Sequence, residues 1–101
     1  MKSAYKIRTK VWLYPGPPAG GGGWHFVSIP AKISVEIKEK HGKHARGWRS
    51  IPVSVTLGKS IWKTSIFPDK GGIYLLPLKA AVRQKEGIVA DDFVQFTLHI
   101  A

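Results

Sequence analysis

Residues 72–100, GIYLLPLKAAVRQKEGIVADDFVQFTLHI, decide how the chain is read. Four apolar residues, 73–76, run into Pro77, which cannot extend a strand ladder from its ring nitrogen. A helix to about Glu86 follows, then a turn. Asp92 opens a last strand in which Val94, Phe96, Leu98 and Ile100 alternate with Gln95, Thr97 and His99, the period of two that sends alternate side chains to core and solvent. The unit recurs earlier in the chain. Placing Pro30 on Pro77, an offset of 47, also superposes Lys32 on Lys79, Val35 on Val82 and Lys38 on Lys85, each behind an apolar strand. The expected architecture is therefore two variations of one strand–proline–helix unit.

Outward from these units, the remaining segments read as strands and turns. Over residues 4–14, Tyr5, Ile7, Val11 and Leu13 alternate with Lys6, Arg8, Lys10 and Trp12, a strand with a buried and a wet face. Pro15-Gly16-Pro17-Pro18 and the glycines 20–23 break it into a long loop. Trp24-His25 follows the glycines where a nucleotide P-loop needs Lys-Ser/Thr, so phosphate cradling by this loop is not expected. A second strand over 24–29 meets Pro30 at the first helical position, where a missing N–H is tolerated. The helix runs to about His41, with Ile33, Ile37 and Val35 on its apolar side and Gly42 as its stop. Ile51, Val53, Val55 and Leu57 give a third strand a clean apolar face. Gly58-Lys59 is a glycine-first type II′ turn that returns residues 60–67 antiparallel. On that strand Lys63 and Ser65 share a side with Ile61 and Phe67, so the lysine either snorkels or meets an anion. Pro68-Asp69-Lys70-Gly71-Gly72 is a further turn.

Composition narrows the function. The chain has 101 residues, enough for one domain, 1–101, with a substantial core. It carries 16 Lys and Arg against 6 acidic residues, a net charge of +10, and no cysteine. Such a field attracts polyanions, while the missing cysteines remove disulfides, thiolate catalysis and cysteine-containing zinc sites. No apolar run approaches the roughly 20 residues that span a bilayer, and no apolar signal core follows Lys2. A cytoplasmic protein without membrane attachment is the expectation.

Several ordered blocks carry a family resemblance: Gly23-Trp24-His25-Phe26-Val27-Ser28-Ile29-Pro30, Arg46-Gly47-Trp48-Arg49-Ser50-Ile51-Pro52-Val53 and Trp62-Lys63-Thr64-Ser65-Ile66-Phe67-Pro68-Asp69. Together they resemble the bacterial domain of unknown function 1905 family across essentially the whole chain. The stretch Tyr74-Leu75-Leu76-Pro77 through Val82-Arg83 to Gly87-Ile88 is also similar to the half-barrel of the AbrB and MazE transcription-factor group, in which two chains complete one barrel. In this chain Ala90-Asp91-Asp92 stands where that group has a Gly-Asp turn. The resemblance implies a mainly β protein, a small closed or double-split β-barrel with two short helices. Because both units lie in one chain, a monomer is expected.

Catalysis finds little support in the residues. No G-x-S-x-G elbow surrounds Ser65, His41 and His44 lack a third ligand at metal spacing, and adjacent Asp91 and Asp92 diverge on a strand start. Asp91 is expected to cap its turn as an Asx residue. The expectation is a non-enzymatic binding module with neither cofactor nor metal. Lys38, Lys40, Lys43, Arg46 and Arg49 fall within twelve residues against a single acid, Glu39, with Trp48 among them as a stacking surface. This set suits nucleic acid or another polyanion. The alternative is a small anionic ligand or protein partner held in a crevice around Lys63 and Ser65, with Trp24, Arg46 and Trp62 nearby.

Overall fold

The computed structural model describes residues 3–14 and 24–100, apart from the side chains of His44 and Trp48; the loop read over 15–23 lies outside the described residues. The strands are β1 (Ser3–Leu13), β2 (His25–Ser28), β3 (Ile51–Leu57), β4 (Ser60–Pro68), β5 (Tyr74–Pro77) and β6 (Phe93–Ile100). Helix α1 (Ala31–His41) follows β2, and α2 (Ala80–Glu86) follows β5. All neighbouring strands are antiparallel and close into a barrel in the order β1-β2-β5-β4-β3-β6. The expected small β-barrel with two short helices is the fold. Closure gives every strand a neighbour on each side, with β1 and β4 each pairing to their two neighbours through different stretches.

The barrel is built on an internal two-fold. Exchanging β1 with β4, β2 with β5 and β3 with β6 reproduces every pairing in the ring. The axis crosses the two places where matched strands pair with each other, Val27 opposite Leu76 and Val55 opposite Leu98. All four of these side chains are fully buried, so the symmetry runs through the centre of the core. Matched hydrogen bonds repeat as well. Ile29 N–H donates to the Tyr74 carbonyl at 2.8 Å and Leu78 N–H to the His25 carbonyl at 2.9 Å. The first helical bonds are Ser34 N–H to Pro30 and Arg83 N–H to Lys79.

These pairs are 49 residues apart, which corrects the offset of 47. The two prolines do different jobs. Pro30 is the N-cap of α1, in extended conformation (ψ 146°) just ahead of the first helical residue, where Lys79 caps α2. Pro77 closes β5 opposite Phe26. Ile33 and Ile37 face the core as expected, and the two-residue slip accounts for the misplaced Val35. Val82 is buried, but Val35 is 56% exposed, and Ser34, 1% exposed, takes the inward place beside Ile37. Ser34 is tolerated there because its hydroxyl donates to the Ile29 carbonyl at 3.0 Å and accepts from Tyr74 N–H at 3.1 Å, so no buried polar group is stranded.

β3 and β6 face the core as expected, through Ile51, Val53, Val55 and Leu57 and through Val94, Phe96, Leu98 and Ile100. β4 does not. Gly58 has φ 59° and Lys59 does not share a positive φ, the type II′ arrangement, and the two-residue turn sets Leu57 opposite Ser60. Residues directly opposite share a face, so Trp62 lies inward opposite Val55 and Ile66 opposite Ile51. Lys63 and Ser65 are therefore on the outer face with Ile61, which is 72% exposed. On β1 the expected inward register holds for Ile7 and Val11, whereas Leu13 is exposed and Trp12 is half-buried.

Gly42 ends α1 as expected, but as a C-cap in the right-handed conformation (φ −60°) from which the chain continues into a 3-10 turn, Gly42–His44, while Gly87 (φ 66°) ends α2 in the left-handed conformation. One turn reading changes. Near β6 it is the Asp92 carboxylate, not Asp91, that accepts Val89 N–H at 3.0 Å. Asp91 supplies a left-handed backbone, φ 75°, and its N–H donates to the Val11 carbonyl at 2.8 Å.

Candidate polyanion-binding face

Between α1 and β3 the chain makes two 3-10 turns, Gly42–His44 and Gly47–Arg49, tied by Arg46 N–H donating to the Ser50 carbonyl at 2.8 Å. The second turn packs against β4. Opposite it, the β4–β5 loop is held by the Asp69 carboxylate, which accepts Gly71 N–H at 2.8 Å and Ile73 N–H at 3.0 Å. Between the two lies a cavity of about 600 Å³, lined by Lys38, Ala45 and Arg49 on one side and Asp69 and Lys70 on the other, with buried Tyr74 at its base.

The charge here is one-sided. Lys38, Arg49 and Lys70 approach the cavity against one carboxylate, Asp69, whose Oδ1 is already occupied by its own loop. None of the three cations has an ion-pair partner among the described residues. Arg49 stands out in its backbone. Its φ of 57° is left-handed, a conformation that costs a non-glycine residue roughly 1–2 kcal/mol, and such strain concentrates at functional sites. The Tyr74 hydroxyl has its pKa raised by burial, against which the nearby Arg49 charge pulls it down.

Of the five cations expected from the sequence, the fold brings Lys38 and Arg49 to this cavity. Lys43 and Arg46 are exposed on the adjoining turns and do not line it. Lys40 pairs with Glu36 at 3.7 Å one helical turn away, an exposed contact worth about 0.3–0.5 kcal/mol. The side chain of Trp48 lies outside the described residues. Sequence reasoning missed Lys70, whose loop carried a turn signal and no other; the local sequence holds nothing that folds it against Arg49.

The second set, Trp24, Arg46, Trp62, Lys63 and Ser65, does not converge. Trp62 packs against the core with its Nε1 buried and without a hydrogen-bond partner, while Lys63 and Ser65 point away from it. Lys63 instead shares a cavity of about 550 Å³ with Ser54, Thr64 and His99. Ser54 stands opposite Lys63 on one side and His99 on the other, so the three form a polar row across the outside of β4, β3 and β6.

An aromatic cluster covers the outside of β1, β2 and β4, and only its Trp24 was singled out from the sequence. Phe26 is its centre, with Trp12 at 5.2 Å, Phe67 edge-on at 6.0 Å, Trp24 nearly parallel (6°) at 6.3 Å and Tyr14 edge-on at 6.4 Å between ring centroids. Trp12 lies over β2, its Nε1–H donating to Ser28 Oγ at 3.0 Å. The cluster is set by register, since Trp12 and Phe26 stand opposite each other on paired strands, and the sequence alone does not give that pairing.

Compared with known families, the chain matches the model of the Domain of unknown function (DUF1905) over residues 8–98 and belongs to that family. No curated protein matches it.

Proposed function

We propose that this DUF1905 barrel is a monomeric, non-enzymatic module of the cytoplasm that binds nucleic acid or a related polyanion. The contacts come from Lys38, Arg49 and Lys70 around the cavity, with Lys43 and Arg46 on the turns beside it. The observation that carries this reading is Arg49, a cation held in a strained conformation at a cavity with two lysines that have no ion-pair partner among the described residues. A strained backbone persists where the surrounding structure over-determines it, and such positions cluster at binding and active sites. The net charge of +10 supports the reading through long-range attraction, and self-closure of the barrel supports a monomer.

Fluorescence anisotropy against salt tests it. If Lys38, Lys43, Arg46, Arg49 and Lys70 all meet phosphates, log K falls against log salt with a slope of about −3.5 on single strands and −4.5 on duplex. Lys38→Glu with Arg49→Glu flattens that slope by roughly two units, whereas Lys6→Glu with Lys10→Glu on β1 matters less. Absence of binding at low salt, or a slope indifferent to the first pair, refutes the proposal. Sedimentation at working concentration checks the monomer.

A second reading rests on the polar row. The cavity at Ser54, Lys63 and His99 suits one small carboxylate or phosphate, and Ser65 lies two residues further along the same face of β4. Calorimetric titration with small anions, showing weak salt dependence and loss on Lys63→Ala, separates this site from the first.

A further inference from the structure

We infer that the nucleic acid bound by this barrel is single-stranded, and that its unpaired bases stack on Trp24 and Tyr14; the inference rests on the polyanion reading above. Tyr14 N–H donates to the Trp24 carbonyl at 2.8 Å, which holds the two residues side by side just past the end of β1 and ahead of β2. Trp24 is 48% exposed and Tyr14 49%. Trp24 lies nearly parallel to Phe26 with ring centroids 6.3 Å apart, so the ring is supported by a neighbour while about half of it stays accessible, the arrangement a base needs in order to stack.

The platform adjoins the cation cavity. Phe67 belongs to the aromatic cluster and the next residue, Pro68, lines the cavity. On β5 the level of Phe26 is Pro77, and the cavity lies at Tyr74. Trp24 stands two residues beyond Phe26, so five strand steps, about 17 Å, separate it from the cavity. A strand lying along β4 and β5 can therefore place phosphates near Lys38, Arg49 and Lys70 and a base on Trp24. Duplex bases are already stacked and paired, so they cannot use such a surface; unpaired bases can, without regard to sequence.

The test uses three probes at low salt: a single-stranded oligothymidine, a duplex of equal length, and inorganic polyphosphate, which has charge but no bases. The expected result is tighter binding of the single strand than of the duplex. Trp24→Ala should then lower single-strand affinity about ten-fold, with the salt slope and polyphosphate binding unchanged, and Trp24→Phe should retain most of the affinity. A thermal melt of each variant checks that the barrel is intact. Equal loss with all three probes, or no loss with the single strand, overturns the inference while leaving the polyanion reading in place. A dimer that Trp24→Ala dissociates without affecting affinity also overturns it, since the aromatic face then serves a second copy of the chain. Failure of all three probes to bind the unaltered protein removes both readings.

Discussion

The two halves of the barrel agree where they hold the fold and part where they carry charge. After α1 the chain takes nine residues, 42–50, to reach β3, and these include Lys43, Arg46 and Arg49 with no acid. After α2 it takes six residues, 87–92, to reach β6, and these carry Asp91 and Asp92 with no cation. Each connector has one left-handed non-glycine residue two positions ahead of its strand, Arg49 in the first and Asp91 in the second. Aspartate tolerates that conformation comparatively well and arginine does not. Asp91 therefore needs no explanation beyond the turn, while Arg49 points to a use. Of the two connectors that lead from a helix into a strand, the longer one therefore carries both the cations and the strained arginine.

Breaking the shared joint between strand and helix gives the largest effect. At matched positions, Ser34 Oγ–H donates to the Ile29 carbonyl at 3.0 Å and Arg83 Nε–H to the Leu78 carbonyl at 3.2 Å. The first joint is buried and the second partly exposed. Ser34→Ala should cost about 2 kcal/mol, since the Ile29 carbonyl loses a donor and Tyr74 N–H an acceptor away from water. A thermal melt should fall by roughly 10 °C. Arg83→Ala should cost less than about 1 kcal/mol because water can replace the donor. Equal losses would mean that the joints are not placed as the two-fold requires.

Next in size is the helix face. Val82→Ala should cost about 1.5–2 kcal/mol through two lost methyl groups and the cavity they leave. Val35→Ala should be neutral or slightly stabilising, because alanine favours an exposed helix position. Denaturant melts giving similar losses for both would restore the offset of 47 and unseat the offset of 49.

That offset shows what the sequence made legible. Period-two alternation located β3 and β6 with their correct faces, because in each one phase is continuously apolar and the other mostly polar, with Phe93 at the start of β6 the exposed exception. β4 has apolar residues in both phases, Ile61 and Phe67 in one and Trp62 and Ile66 in the other, so alternation alone could not choose. The hairpin could have chosen: once Gly58-Lys59 is a two-residue turn, Ser60 must stand opposite Leu57, and the inward phase of β4 follows. Matching proline to proline misled for a related reason. Proline suits both a helix N-terminus and a strand end, so the residue type did not say which job it performed. The site was half legible. A local run of cations is visible in sequence and Lys38 and Arg49 belong to it, but Lys70 and the outward Trp24 depend on contacts between distant segments.

The glycines after the two helices should respond with opposite sign. Gly42 has a right-handed φ and a Cβ there would meet Lys38 Cγ at 3.6 Å, an ordinary contact. Gly42→Ala should stabilise the protein by about 0.4–1 kcal/mol through a less flexible unfolded chain. Gly87 has φ 66° and its N–H donates to the Arg83 carbonyl. Gly87→Ala should cost about 1 kcal/mol, since the left-handed conformation strains any Cβ. Destabilisation by both would show that Gly42 also needs the left-handed region and that the first connector begins differently.

The smallest effects come from two tyrosines, one in each half. Burial is the main reason that both hydroxyls have pKa values raised above the usual 10.0. Glu36 pushes Tyr5 up further, whereas Arg49 pulls Tyr74 down. A raised folded-state pKa favours the neutral phenol in the native protein, so its stabilising contribution is full below pH 10.0 and is lost as pH rises through the folded value. Unfolding followed into alkali should therefore steepen above that point, and Tyr74→Phe should soften the decline. The neighbours can then be tested separately by ultraviolet titration in single-tyrosine backgrounds. Glu36→Gln should bring Tyr5 toward its ordinary value, and Arg49→Gln should move Tyr74 further from it. If Tyr74 titrates identically with and without the guanidinium, Arg49 does not face the base of the cavity. The charge contrast between the two connectors would then lie on the open surface, where salt screens it, and the cavity would lose the cation that distinguishes it.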